Sequence, residues 1–342
     1  MVKIFTVDDP FGSQSRSLDA LTATAKRWNA SKMVDRFLVG YSSTWPNNLV
    51  TSSYLLALTE RLSLIVAHRP GVMHPSFAAR TFATLDALSG GGRLALNVVT
   101  GGSDKDLRRE GDYETKEARY GRAIDYVTMM KRSWSDPESF NYDGDFFKAE
   151  GVRHQLRPTH GHVPIYMGGD SDEAVQFGAL HADVYMLWGE PLAGTQERIE
   201  RVKSAAREHG RLPEFSLSLR IFLGDTDEQA WEKAREAERV ITAAQGTNRF
   251  LRSAPTDKSK GRDRQLSLTD TEVHDDCFWS GLILLLGGFA NSSALVGTEE
   301  RVMQALAKYR SIGVDAFLIT TGVDGLWDPS LEDFLTRVKE TL

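Results

Sequence analysis

The strongest chemical signal is Gly168-Gly169-Asp170-Ser171, which ends an apolar run and opens an amphipathic one. Glycine lets a backbone turn sharply and approach a ligand closely. Free N–H groups at a helix start, together with the helix dipole, favour an anion. Ser171 adds a hydroxyl able to donate to a phosphate. The same Asp170-Ser171 pair also reads as an ordinary helix N-cap. Other candidates sit where apolar runs stop: His68-Arg69, Asn97 with Thr100 after it, Ser218 and Arg220, and Asp324. A guanidinium stays charged and donates in a fork, so Arg220 could hold an anion or pair with an acid such as Asp324. Trp45 and Trp188 stand at two such ends, where a ring could wall a planar ligand or pack a loop.

Several chemistries are disfavoured. None of the eight histidines forms an H-E-x-x-H pair, and His154, His160 and His162 read as surface residues, so no metal is expected. Neither a phosphate-loop motif nor a G-x-S-x-G elbow occurs. The single cysteine, Cys277, excludes an internal disulfide. Beside Phe278 and Trp279 it reads as a buried apolar residue rather than a nucleophile. A reducing, cytoplasmic setting is expected. A net charge of −6 is no nucleic-acid footprint. No run approaches the roughly 20 apolar residues of a membrane helix. The Met1–Asp9 stretch does not read as a secretory leader.

These residues need elements to position them. Apolar and β-branched runs predict eight strands, at 4–7, 36–41, 62–68, 94–100, 163–168, 183–188, 215–223 and 316–321. Amphipathic stretches at 17–31, 75–88, 117–134, 173–181, 196–209, 227–244 and 299–312 predict helices between them. Alternation of strand and helix implies a parallel sheet. Eight units favour a closed (β/α)8 barrel, an α/β TIM barrel with insertions, over an open sheet. The whole chain, 1–342, then reads as one barrel domain rather than two. Its extra length goes into an excursion at about 137–162, with a hairpin turning at Asp143-Gly144, and a basic insertion at about 245–273. Between Arg249 and Arg264, six basic residues face Asp257 and Asp263, as in a solvated loop or a lid over an anionic ligand. In such a barrel the C-terminal strand ends carry the chemistry, and the candidates above stand there.

The chain resembles the bacterial luciferase-like flavin-dependent monooxygenases, and most closely the two-component alkanesulfonate monooxygenase branch. The resemblance runs from about Asp35 to Glu340. It is carried by Arg61-Leu62 to Arg69-Pro70, Ala79-Arg80 to Ser89, Asn97-Val98-Val99-Thr100-Gly101 and Glu117-Ala118-Arg119-Tyr120. It continues through Gly168-Gly169-Asp170-Ser171, Trp188-Gly189-Glu190-Pro191, Asp225 to Trp231 and Ala294-Leu295-Val296-Gly297. It implies a barrel that takes reduced FMN from a separate NAD(P)H-dependent flavin reductase and activates O2 as a flavin peroxide. A small sulfonate would then yield sulfite and an aldehyde.

Matching positions imply Tyr120, Ser171 and the Gly168-Gly169 backbone at the FMN phosphate. Asp170 lies in that turn, with Asn97 at the ring and Thr100 nearby. His68, Arg69 and Arg220 are the expected substrate or oxygen contacts. Dimers or tetramers, and a cis peptide at Ala67-His68, are also implied. The branch's Arg-x-His on the seventh strand is Ser218-Leu219-Arg220 here, and its Tyr-Pro-His is Gly322-Val323-Asp324. Its lid arginine is Leu286, and its cysteine corresponds to about Trp45. These departures bear on the substrate. Alternatives are a flavin or F420 oxidoreductase acting on a non-sulfonate compound, and a flavin-binding relative without catalysis.

Overall fold

The computed structural model describes residues 1–7, 17–101, 103–245, 259–288, 292–320 and 329–342. Strands β1 (Lys3–Val7), β2 (Arg36–Val39), β3 (Ser63–His68) and β4 (Leu94–Val98) come first. A hairpin of β5 (Phe140–Asp143) and β6 (Lys148–Val152) stands apart from the main sheet. Then follow β7 (Ile165–Gly168), β8 (Val184–Trp188), β9 (Glu214–Leu223), β10 (Val273–His274), β11 (Phe278–Trp279), β12 (Ala294–Gly297) and β13 (Ala316–Thr320). Parallel pairing runs β13-β1-β2-β3-β4-β7-β8-β9 and closes from β9 back to β13. These are the eight predicted strands, and they form a (β/α)8 barrel.

Helices α1 (Leu18–Ala30), α2 (Asn48–Leu58), α3 (Pro75–Leu88), α4 (Asp104–Arg108) and α5 (Lys116–Ser135) wrap the first half. Helices α6 (Asp172–His181), α7 (Leu192–Arg207) and α8 (Asp227–Gln245) follow. Period-two alternation sorts the strand side chains. Phe5, Ile65, Ala95, Tyr166, Val184, Ala316 and Leu318 fill the barrel interior. Ile4, Leu64, Val66, Leu96, Tyr185 and Phe317 pack outward with helical residues such as Phe82, Tyr126 and Phe177. Burial on both faces is why the strands read as continuous apolar runs.

The structure differs from the sequence reading in places. Strands expected to reach Tyr41 and Thr100 end at Val39 and Val98, where the chain leaves the ladder to build the barrel mouth. Helix α2 and strand β12 were not foreseen. α2 carries polar Asn48, Thr51 and Ser52 on its buried side, which hides its period. β12 is four residues long and pairs with the outer half of β9, Arg220–Leu223, whereas Ser216–Leu219 pair with β13. No peptide bond among the described residues is cis, so the cis bond implied at Ala67-His68 is not seen. The hairpin is present, its turn closed by the Gly144 N–H donating to the Phe147 carbonyl (3.0 Å).

Candidate active site

A cavity of about 360 Å³ opens at the C-terminal ends of the barrel strands. Its wall includes Asn97 on β4, Thr100 just beyond it, Tyr120 on α5 and the Gly168–Ser171 turn between β7 and α6. Seven sequence-predicted cofactor residues and Trp188 therefore meet in one place. No helix among the described residues is long and apolar enough to cross a membrane.

The turn is built for close approach. A Cβ on Gly168 would sit 2.4 Å from the Met186 carbonyl oxygen, and one on Gly169 2.6 Å from the Ala174 side chain. Ser171 caps α6, its hydroxyl accepting from the Ala174 N–H (3.3 Å). The Tyr120, Thr100 and Ser171 hydroxyls line the same stretch of the cavity. Burial raises the Tyr120 pKa, so the phenol remains a donor at neutral pH. The Gly169 carbonyl accepts from the Tyr185 hydroxyl (2.8 Å) and the Arg198 guanidinium (3.0 Å).

Arg198, almost fully buried on α7, also pairs with Asp170 (3.0 Å) and Glu190 (3.2 Å). The Asp170 carboxylate is thus committed to the turn's own support. A buried guanidinium between two carboxylates meets the requirement that interior charge be paired. Lys116 and Arg119 on α5 add positive charge to the wall. Lys116 bridges to Glu173 (3.1 Å), and Arg119 donates to the Glu114 carbonyl (2.7 Å). Ser171 and a backbone N–H, then Lys116, hold the Glu173 carboxyl below its ordinary range.

The described part of the basic insertion forms a helix, Lys260–Ser267, over the mouth. Ser259, Lys260 and Gly261 line the cavity. A Cβ on Gly261 would lie 3.3 Å from the Trp188 ring. Lys260 pairs with Asp172 (2.8 Å), and Arg264 pairs with Glu190 (2.7 Å) and Glu197 (2.8 Å). Gln265 donates to the Gly189 carbonyl (2.9 Å). Arg249, Arg252 and Lys258 of the insertion lie outside the described residues, as does Asp324.

Other predicted residues are not brought to this wall. His68 points outward from β3, bonded to the Tyr126 hydroxyl (2.7 Å) and edge-on to Phe82. Burial pushes its pKa down to about 3. Arg69 is held by Asp106 (2.7 Å) and Glu110 (2.6 Å) and stacks over Tyr41. Trp45 folds over Gly40, where a Cβ would meet its ring at 2.8 Å. Arg220, 2% exposed, shares the strand face of Ser216 and Ser218 but lies further along β9, outside the cavity lining. Its backbone N–H donates to the Ser293 carbonyl (2.9 Å). Cys277 is buried, which raises its thiol pKa to about 11.

Lys116, Arg119, Arg198 and Ser216 were missed. Lys116 precedes Tyr120 by four positions, so helical spacing could have flagged it, whereas Arg119 is the adjacent residue and carries no such signal. Arg198 meets Gly169 across 29 residues and carries no local signal.

The profile of the luciferase-like monooxygenase family matches residues 4–316. Among solved structures of similar fold is a riboflavin lyase with modified FMN and riboflavin: 16% identity, TM-score 0.77, covering 99% of this chain and 91% of the other. An EDTA monooxygenase from Chelativorans sp. BNC1 has 17% identity and TM-score 0.72, covering 98% and 92%. An F420-dependent secondary alcohol dehydrogenase has 17% identity and TM-score 0.68, covering 100% and 98%.

Proposed function

The chain belongs to the luciferase-like monooxygenase family, and on that premise we propose that it is a monooxygenase dependent on reduced FMN. The observation that carries this is one cavity joining the glycine turn, the Thr100, Tyr120 and Ser171 hydroxyls, and the cations Lys116, Arg119 and Lys260. Backbone, hydroxyls and cations there suit a phosphate, and the apolar inner wall suits a ring. When bound, reduced flavin supplies the electrons that activate O2. This chain's residues bind and orient it: Ser171 and Tyr120 donate to the phosphate, and Arg198 holds the turn. Trp188 and Gly261 would close the mouth and keep water from the ring end of the cavity.

The substrate we propose is a small organosulfur compound, a sulfonate releasing sulfite and an aldehyde. The basic segment over the mouth, whose Lys260 lines the cavity, supports an anionic substrate. The flavin would come from a separate NAD(P)H-dependent reductase. The protein would work as a homo-oligomer in the cytoplasm, a setting its free thiol suits.

Two measurements test this. Photoreduced FMN should bind more tightly than oxidised FMN. Sulfite should appear when a sulfonate panel is incubated with FMN, NAD(P)H and a generic reductase. Tight reduced-FMN binding without sulfite would remove the sulfonate and keep the flavin. A second reading exchanges FMN for F420, since one similar fold belongs to an F420-dependent enzyme. A competition titration of the two reduced cofactors separates them.

A further inference from the structure

The cavity is polarised. Its charged lining groups, Asp104, Lys116, Arg119, Asp170, Arg198 and Lys260, all come from helices or from beyond strand ends. The strand residues of the wall are uncharged, with apolar Leu38, Met186 and Leu318 among them. Among these Ser216 stands out. Its neighbours in register are Met186 on β8 and Ala316 on β13, both facing the barrel interior. It is 1% exposed, and its hydroxyl has no hydrogen-bond partner among the described residues. Thr6, Ser52 and Thr320 also have unpartnered buried hydroxyls, but none of them lines the cavity.

A buried hydroxyl without a partner is unfavourable, and a ligand acceptor placed against it removes that cost. A ligand charged at the mouth and neutral at its inner end fits this wall. We infer that Ser216 is a specificity-determining contact for the ring end of the flavin, its hydroxyl donating to a ring acceptor. This rests on the flavin reading above.

The experiment uses the whole protein and titrates oxidised FMN, photoreduced FMN and riboflavin, which has the ring without the phosphate. Ser216→Ala should weaken FMN and riboflavin by the same factor, roughly tenfold. Ser216→Cys keeps the shape with a weak S–H donor and should fall with alanine. Ser171→Ala, at the phosphate, should weaken FMN and leave riboflavin unchanged. The ligand-free melting temperature of Ser216→Ala should be unchanged or higher, because no internal bond is lost. Unaltered flavin affinity in Ser216→Ala overturns the assignment. So does a cysteine variant that binds like the parent, or an affinity loss matched by a lower ligand-free melting temperature. Failure of the unsubstituted protein to bind any flavin overturns the cofactor reading and this contact with it, and shows before any substitution is made.

Discussion

Ser171 does two jobs with one oxygen. It accepts from the Ala174 N–H to start α6, and it lines the cavity beside Tyr120. The capping and phosphate readings are therefore compatible, since a hydroxyl has two acceptor sites and a donor. Ser171→Ala should weaken FMN by roughly 1–3 kcal/mol, read by fluorescence titration. It should also lower stability by about 1 kcal/mol through the lost cap. A stability loss with full FMN affinity would leave only the cap. Arg198 shows the opposite economy, since several bonds from one guanidinium hold a single turn. Its donors reach the Gly169 carbonyl, Asp170 and Glu190, so the turn's geometry depends on a helix two elements away.

At the scale of elements, the helix Lys260–Ser267 is tied to the barrel by charge rather than by a large apolar face. Only Gln265 among its residues is buried. The Lys260–Asp172 pair is exposed at 59% and 74%, and such pairs contribute little to stability. Lys260→Ala should therefore leave the urea midpoint nearly unchanged while weakening FMN. The affinity gap between variant and parent should shrink as salt is raised, because exposed charges are screened. A gap independent of salt would count against Lys260 as a charge contact. Strand β9 is the other element that matters. Ten residues long, it serves the closed barrel with its first half and β12 with its second. Ser216 and Arg220 consequently lie on one face but beside different neighbours.

For the whole molecule, two buried histidines set an acid limit. Burial pushes the pKa of His68 down to about 3; burial and then nearby Lys131, Arg211 and His209 do the same for His181. Unfolded, both return to about 6.5. With folded values depressed, their contribution is fully present above pH 6.5 and is lost as pH falls toward 3. By pH 5 each should have given up about 2 kcal/mol, roughly 4 kcal/mol together. Urea unfolding at pH 7 and pH 5 measures this. A loss of about half that size would mean that one of them is protonated in the fold, and equal stability at the two values that both are. His68 thus belongs to the outer packing layer of the barrel, beside Phe82 and Tyr126.

The sequence by itself determined the barrel, because buried parallel strands and amphipathic helices are local patterns with periods of 2 and 3.6. It also determined the anion turn, because Gly168-Gly169 and the cap at Ser171 are consecutive residues whose conformation is a local matter. Only the tertiary structure decided which strand-end residues share the cavity. His68 and Ala67 are adjacent in the chain, yet side chains on a strand alternate between faces, and register placed His68 on the outer one. Arg69 was decided by Asp106 and Glu110, which reach it across 37 and 41 residues. Ser216 was silent for the same reason. A serine inside an apolar strand shows no purpose until closure of the barrel sets it against a cavity without a partner.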